Sequence, residues 1–231
     1  MTVVVFDLET TDKISDMPGT DREDQVKMLQ VSCACALVVD SEALLDPARA
    51  AAAVEEGEMH TFWRDRGLHP LEGLLELFDK AEVIASYNGL GFDHPVLLKY
   101  YESRTRYQSH VLKSHDAFQR LRDITTFWYK LDDLLKANGL ETKTATGLQA
   151  ITWWYEGKRD EIEEYCRADV RACARLLAMP QIHLPQTTTV VPNYVFGVAS
   201  AIAAVRASTR LAQQTALQTQ KTGEEGVEAA V

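Results

Sequence analysis

Val3 to Leu8 reads Val-Val-Val-Phe-Asp-Leu, an almost unbroken β-branched and aromatic run at the start of the chain. Such side chains are stiff at χ1 and suit a pleated surface, so the run predicts a strand buried in a sheet. Its end carries Asp7 and Glu9 within Phe-Asp-Leu-Glu-Thr-Thr. Residues two apart in a strand project from the same face, so the two carboxylates stand side by side where the strand leaves the apolar interior. Like charges that close repel unless a cation lies between them. Hard divalent ions such as Mg²⁺ prefer carboxylate oxygens. Taken alone, the Asp-x-Glu pair reads equally well as solvated strand-end acids.

The rest of the chain fills in around that strand. Residues 10–25 are polar, with Pro18 and Gly19, and predict a turn or loop; Met28 to Val39 predicts a second strand. Residues 40–57 predict a loop or short helix, and Met59 to Arg64 a third strand. The period then changes: Leu71, Leu74, Leu75 and Phe78 fall at helical spacing after Pro70. Val83 to Tyr87 predicts a strand that runs into the turn Asn88-Gly89, with a helix following over Pro95 to Glu102. Leu131 to Asn138 predicts a short helix stopped by Gly139, and Asp160 to Ala178 a longer one ended by Pro180. Strands first, then strands mixed with helices, imply an α/β fold: a mixed sheet, antiparallel in its first strands and then parallel, flanked by helices. The expected domain covers residues 1–184. Residues 185–231 are rich in Ala, Thr and Gln and predict a helix over 194–217, with Val195, Val198, Ile202 and Val205 on one face, then a disordered tail.

Two further acids sit in positions that matter. Asp93 follows the turn in Ser-Tyr-Asn-Gly-Leu-Gly-Phe-Asp, 84 residues after Glu9, where it reads either as a plain helix cap or as a ligand. Asp169 follows 76 residues later in Tyr-Cys-Arg-Ala-Asp, four residues after Tyr165 and so on its helix face. The adjoining stripe of Ile162, Cys166, Cys173, Leu176 and Leu177 is apolar, so Asp169 borders the core and needs a partner. Arg167, Arg171 and Arg175 read as a solvated face near Glu163 and Glu164. Each piece alone has an ordinary structural reading; their joint order does not.

Charge and cysteines narrow the field. With 24 basic and 34 acidic residues the net charge is −10, which excludes a domain that coats phosphate with a broad basic surface. A local site carrying its positive charge as metal ions stays open. Cys33, Cys35, Cys166 and Cys173 fit no zinc-knuckle spacing and read as small buried thiols. No secretory leader or membrane span is apparent, so a cytoplasmic setting is expected, or the nucleus or a viral replication site in a eukaryotic or viral source.

These motifs resemble those of the DEDD exonucleases of the DnaQ-like, RNase H-like superfamily. Phe-Asp-Leu-Glu-Thr-Thr is similar to the first motif, Ser-Tyr-Asn-Gly-Leu-Gly-Phe-Asp to the second and Tyr-Cys-Arg-Ala-Asp to the third. One branch of that family carries a His five residues before the last Asp, a position held here by Glu164; the other carries a Tyr four before it, matched by Tyr165. The chain therefore looks like the DEDDy branch. Asn88, with four residues between it and Asp93, and the Tyr-Cys pair that opens the third motif are similar to proofreading domains of B-family DNA polymerases and their stand-alone relatives. The resemblance covers residues 1–180.

It implies a 3′–5′ exonuclease using two Mg²⁺ or Mn²⁺ ions about 3.5–4 Å apart to release nucleoside 5′-monophosphates. Asp7, Glu9, Asp93 and Asp169 would be the metal ligands, with Asp7 bridging. Tyrosine ionises only near pH 10, so Tyr165 would orient the attacking water instead of deprotonating it. Thr10 and Asn88 would hydrogen-bond the terminal nucleotide, or serve only as a strand-end hydroxyl and a turn residue. Leu8 and Phe92 would pack in the core and present an apolar edge to the 3′ base. The expected partner is a single-stranded 3′ end, DNA favoured over RNA, with no membrane; protein partners are not indicated. Two alternatives remain: an exoribonuclease on the same fold, and an idle exonuclease-like module that binds a replication or repair partner. Trp153 and Trp154 fall on an expected helix, at least one in the core, and His94, His110 and His115 complete no ligand set.

Overall fold

Successive side chains of β1 (Thr2–Thr10) enter two separate apolar layers: Val3 and Val5 one, Val4, Phe6 and Leu8 the other. Burial on both faces is what a central strand requires, and it explains the continuous apolar run. The computed structural model describes residues 1–67, 69–142 and 146–228, the last as backbone alone at 212–213 and from 216 onward.

After β1 come α1 (Arg22–Met28), β2 (Val31–Asp40), α2 (Ser41–Leu45), α3 (Ala50–Glu56) and β3 (Glu58–Trp63). The middle holds α4 (Glu72–Lys80), β4 (Val83–Ser86), α5 (Asp93–Leu97), α6 (Arg104–Leu112), β5 (Ser114–Asp116) and α7 (Ala117–Thr125). Then follow α8 (Leu131–Ala137), α9 (Gly147–Glu156) and α10 (Arg159–Ala178). A short hairpin of β6 (Gln181–His183) and β7 (Val190–Pro192) leads into α11 (Asn193–Phe196) and α12 (Val198–Glu228).

The main sheet has the order β3-β2-β1-β4-β5. β1 pairs antiparallel with β2 and β2 with β3, whereas β4 lies parallel to β1 and β5 parallel to β4. This is the expected α/β architecture with a mixed sheet. Helices α1, α4 and α5 cover the layer of Val4, Phe6 and Leu8 through Val26, Leu74, Phe78, Val96 and Leu97. Helix α10 covers the opposite layer with Ile162, Cys166, Val170 and Cys173.

Several expectations shift at their edges. The second strand begins at Val31, because residues 22–28 form α1, capped by the Asp21 carboxylate, which accepts from the Asp24 N–H at 3.0 Å. Residues 41–56, expected as a loop or short helix, hold two short helices. The helix expected from Pro95 starts at Asp93 and tightens into a 3₁₀ turn at Leu98–Tyr100. The arginines of α10 are partly tied down: Arg171 and Arg175 both reach Glu55 of α3, while Arg167 pairs with Glu163. The predicted helix over 194–217 is broken at Gly197, with Phe196, Val198 and Ile202 buried against the domain. Arg206 on α12 pairs with Glu82 at 2.6 Å, beside the start of β4. Residues 229–231 of the expected tail lie outside the described residues. Among the described residues no helix is long and apolar enough to cross a membrane.

Candidate metal centre

The sheet register places the first two acids. Asp7 and Glu9 continue the face of β1 that carries Val3 and Val5, so both point toward α10. Across the strand pair, Asp7 lies opposite Cys35 and Glu9 opposite Cys33. The register then shifts between Glu9 and Thr10, where Ser32 is the extra residue on β2, and Thr11 donates its N–H to the Gln30 carbonyl at 2.9 Å.

The second motif is held by a turn. Asn88 adopts φ 67°, the left-handed region that Asn tolerates better than most residues. Gly91 closes the turn by donating to the Asn88 carbonyl at 3.1 Å. At Gly89 any Cβ would overlap the Ser86 side chain, so the close approach demands glycine. Phe92 occupies the N-cap position of α5 and Asp93 its first turn, so Asp93 is not the cap. It is buried, as is Asp169 on α10. The Asp116 carboxylate holds the turn from below, accepting from the N–H groups of Asn88 at 2.8 Å and Leu90 at 3.0 Å.

All nine residues singled out by sequence meet at one cavity of about 610 Å³. Asp7, Leu8, Glu9 and Thr10 line it from β1; Asn88, Phe92 and Asp93 from the turn; Tyr165 and Asp169 from α10. Leu8 is also core, and Phe92 packs partly against the same layer. Its remaining walls were not foreseen. Asp12, Lys13, Ile14 and Ser15 form one side, while Thr146, Gly147, Leu148 and Ile151 form another from the start of α9. The sequence does hold a signal for that second wall, since Thr146 and Gln149 have capping-box spacing. Thr146 Oγ1 accepts from the Gln149 N–H at 3.4 Å. Tyr155 on the same helix donates to Asp12 at 3.3 Å and so connects the two walls. Helix α9 is fixed to α10 by the Arg159 guanidinium, 3.4 Å from the Trp154 ring centre, and by Trp153 edge-on to Tyr165 at 6.3 Å. Leu29 and Tyr87 complete the lining; burial pushes the Tyr87 hydroxyl well above the ordinary range, and it donates to the Tyr129 carbonyl at 2.5 Å.

The donor set fits a hard divalent cation. Ligand atoms of Asp7, Glu9 and Cys166 lie within 4.8 Å of one another, close enough to converge on one ion. Cys166 is the poorest of the three: burial pushes its thiol well above the ordinary range, and it donates to the Asp7 carbonyl at 3.5 Å. That leaves the carboxylates as donors, with Asp93 and Asp169 lining the same cavity outside this tight group. The buried histidines lie elsewhere, with His94 against Phe6 and Phe78 and His115 bonded to the Phe196 carbonyl at 2.7 Å.

Among solved structures, the family B DNA polymerase from the hyperthermophilic archaeon Pyrobaculum calidifontis aligns with 76% of this chain and 24% of its own, at 16% identity and TM-score 0.49. Exonuclease I of E. coli, in complex with a dT13 oligonucleotide, aligns with 77% of this chain and 40% of its own, at 18% identity and TM-score 0.43. A moderately thermophilic Exonuclease I from Methylocaldum szegediense aligns with 77% and 39%, at 18% identity and TM-score 0.40. The chain thus spans between a quarter and two fifths of the length of these structures. No curated protein matches the chain. Residues 50–179 match the family RNase_H_2, described as RNase_H superfamily, a stretch that includes Asp93, Tyr165 and Asp169. With more than half its length inside that match and a five-stranded mixed sheet flanked by helices, the chain belongs to the RNase_H superfamily.

Proposed function

We propose that this chain is a metal-dependent 3′–5′ exonuclease that removes nucleoside 5′-monophosphates from single-stranded DNA ends. The observation that carries this reading is convergence: Asp7, Glu9, Asp93, Tyr165 and Asp169, from three distant stretches of sequence, line one cavity. A space of about 610 Å³ suits a terminal nucleotide and its neighbour, not a length of duplex.

Asp7, Glu9, Asp93 and Asp169 would hold two Mg²⁺ or Mn²⁺ ions, which supply charge neutralisation at the scissile phosphate and a more acidic water. The chain's own groups do the positioning. Leu8 and Phe92 offer an apolar edge to the terminal base. Thr10 and Asn88 offer hydrogen bonds to its sugar and phosphate. Tyr165 donates its O–H to the attacking water, holding it in line, and Lys13 at the rim meets the phosphate that follows. The negative whole-chain charge favours such local capture over coating of a long strand. Preference for DNA over RNA rests on the likeness of the motifs to polymerase proofreading domains.

The test is a pair of 5′-labelled single strands of equal sequence, DNA and RNA, incubated with Mg²⁺, with Mn²⁺ or with EDTA. The expected result is a ladder shortened from the 3′ end, stronger on DNA and absent in EDTA. Faster shortening of RNA would reassign the substrate. A folded, metal-supplied chain that cuts neither strand would leave a nucleic-acid or partner-binding module in its place.

A further inference from the structure

The register that sets Asp7 and Glu9 side by side sets two thiols beside them on the neighbouring strand. Cys35 lies opposite Asp7 and Cys33 opposite Glu9, and directly opposed residues of an antiparallel pair share a face. Cys166 of α10 closes over both. The sulfurs of Cys33, Cys35 and Cys166 all lie within 4.8 Å of one another, and all three residues are buried. We propose that these three cysteines form a second metal site, selective for a soft, thiophilic cation and separate in chemistry from the carboxylate centre.

Three sulfurs bound to one ion at about 2.3 Å stand about 3.8 Å apart, so the trio needs only small side-chain adjustments to close on an ion. Ligand softness divides the two sites. Thiolates select soft ions, whereas carboxylates and water suit Mg²⁺ and Mn²⁺. Each cysteine that ligates releases its proton to solvent.

The trio is buried but not deep. Thr61 on β3, at the sheet edge, has its hydroxyl 3.7 Å from the Cys35 sulfur. Above it, Thr61 donates to Glu163 at 3.1 Å and accepts from Arg167 at 2.9 Å, both partly exposed side chains of α10. An ion therefore reaches the sulfurs by rotating surface side chains, without opening the sheet. Cys166 couples the two sites. Its S–H bonds the Asp7 carbonyl, and a coordinated Cys166 has no proton to give. Occupancy by a soft ion thus removes one support of the strand that carries Asp7 and Glu9.

The full chain, in buffer with excess Mg²⁺ and a non-thiol reductant, is titrated with CdCl₂ and followed in the ultraviolet. The expected result is a thiolate-to-cadmium charge-transfer band that saturates at about one ion per chain and is unaffected by Mg²⁺. Cys33→Ala and Cys35→Ala should each weaken binding roughly 100-fold or more. Cys173→Ala, which changes the one cysteine outside the trio, should leave it unchanged. Circular dichroism shows which variants are folded, and two cluster variants guard against the loss of one. A folded wild-type chain with no such band overturns the proposal. So does a band retained by both folded cluster variants, or one removed by Cys173→Ala. The readout is spectroscopic and independent of any nuclease activity.

Discussion

Asp116 Oδ1 accepts a hydrogen bond from the backbone N–H of Asn88 at 2.8 Å. The same oxygen accepts from Phe118 at 3.0 Å and Gln119 at 3.2 Å, capping α7, while Oδ2 accepts from Leu90. One buried acid thus joins the end of β5, the start of α7 and the turn that delivers Asp93. Replacing it leaves four partly buried N–H donors without this acceptor, at a cost of about 2–4 kcal/mol. Asp116→Ala should lower the melting temperature by roughly 5–15 °C. If the proposed exonuclease activity holds, it should also lower kcat/KM, because the turn that carries both Asn88 and Asp93 loses its anchor. Calorimetry and steady-state assays below the melting transition check both; an unchanged melting temperature contradicts this role.

Asp7 and Glu9 share one face of β1 with like charge. Asp7→Asn should abolish the proposed metal-dependent cleavage, yet raise stability in EDTA by about 1 kcal/mol by relieving their repulsion. Thermal melts of both proteins in EDTA and in Mg²⁺ test this. The wild type should gain more from Mg²⁺ than the variant, and a lower melting temperature for the variant in EDTA would refute the account.

Burial lowers the His94 pKa to about 4, from an ordinary 6.5. The unfolded chain binds a proton there below pH 6.5 while the folded chain does not, so stability is fully present above 6.5. It declines as pH falls toward 4, by up to ~3 kcal/mol from this residue. Burial lowers His110 and His115 in the same direction. Urea midpoints at about pH 7 and about pH 4.5 should therefore differ, and His94→Leu should show a smaller difference. An identical slope in the variant would assign the acid sensitivity elsewhere.

Arg206 meets Glu82 through both Nε, at 2.6 Å, and Nη2, at 3.1 Å, and also reaches Glu42 at 2.8 Å. The Glu82 side chain is only 5% exposed, so loss of the arginine leaves a poorly solvated carboxylate. Arg206→Ala should cost about 1–3 kcal/mol. It should also speed proteolysis within α12, as measured by limited digestion against wild type. Equal digestion rates would show that α12 is held by its apolar residues alone.

The sheet was legible where side chains were apolar and alternating. β1 announces itself because both of its faces are buried, and α10 because Ile162, Cys166 and Cys173 keep a helical period. The stretch from α6 to α7 was not legible. β5 is Ser-His-Asp, with no apolar residue, and α6 buries His110 where an aliphatic side chain would have revealed its inner face. Both depend on long-range polar bonds: His110 bridges Tyr101 and Asp79, and Asp116 binds the Asn88 turn. Such bonds leave no periodic trace. The candidate site shows the same division. Its acids were found through spacing and family likeness, whereas its walls at residues 12–15 and 146–151 come from loops and helix ends that only the fold brings near.

The shift in pairing after Glu9 divides the labour of the cavity. Up to Thr10 the lining belongs to the sheet, and Leu8 is shared with the core. Beyond it, residues 12–15 have left β2 and owe the sheet little. The rim can therefore be rewritten by insertion or substitution while the acids keep their positions. What enters the cavity and what happens inside it are open to separate change, along one continuous stretch of backbone.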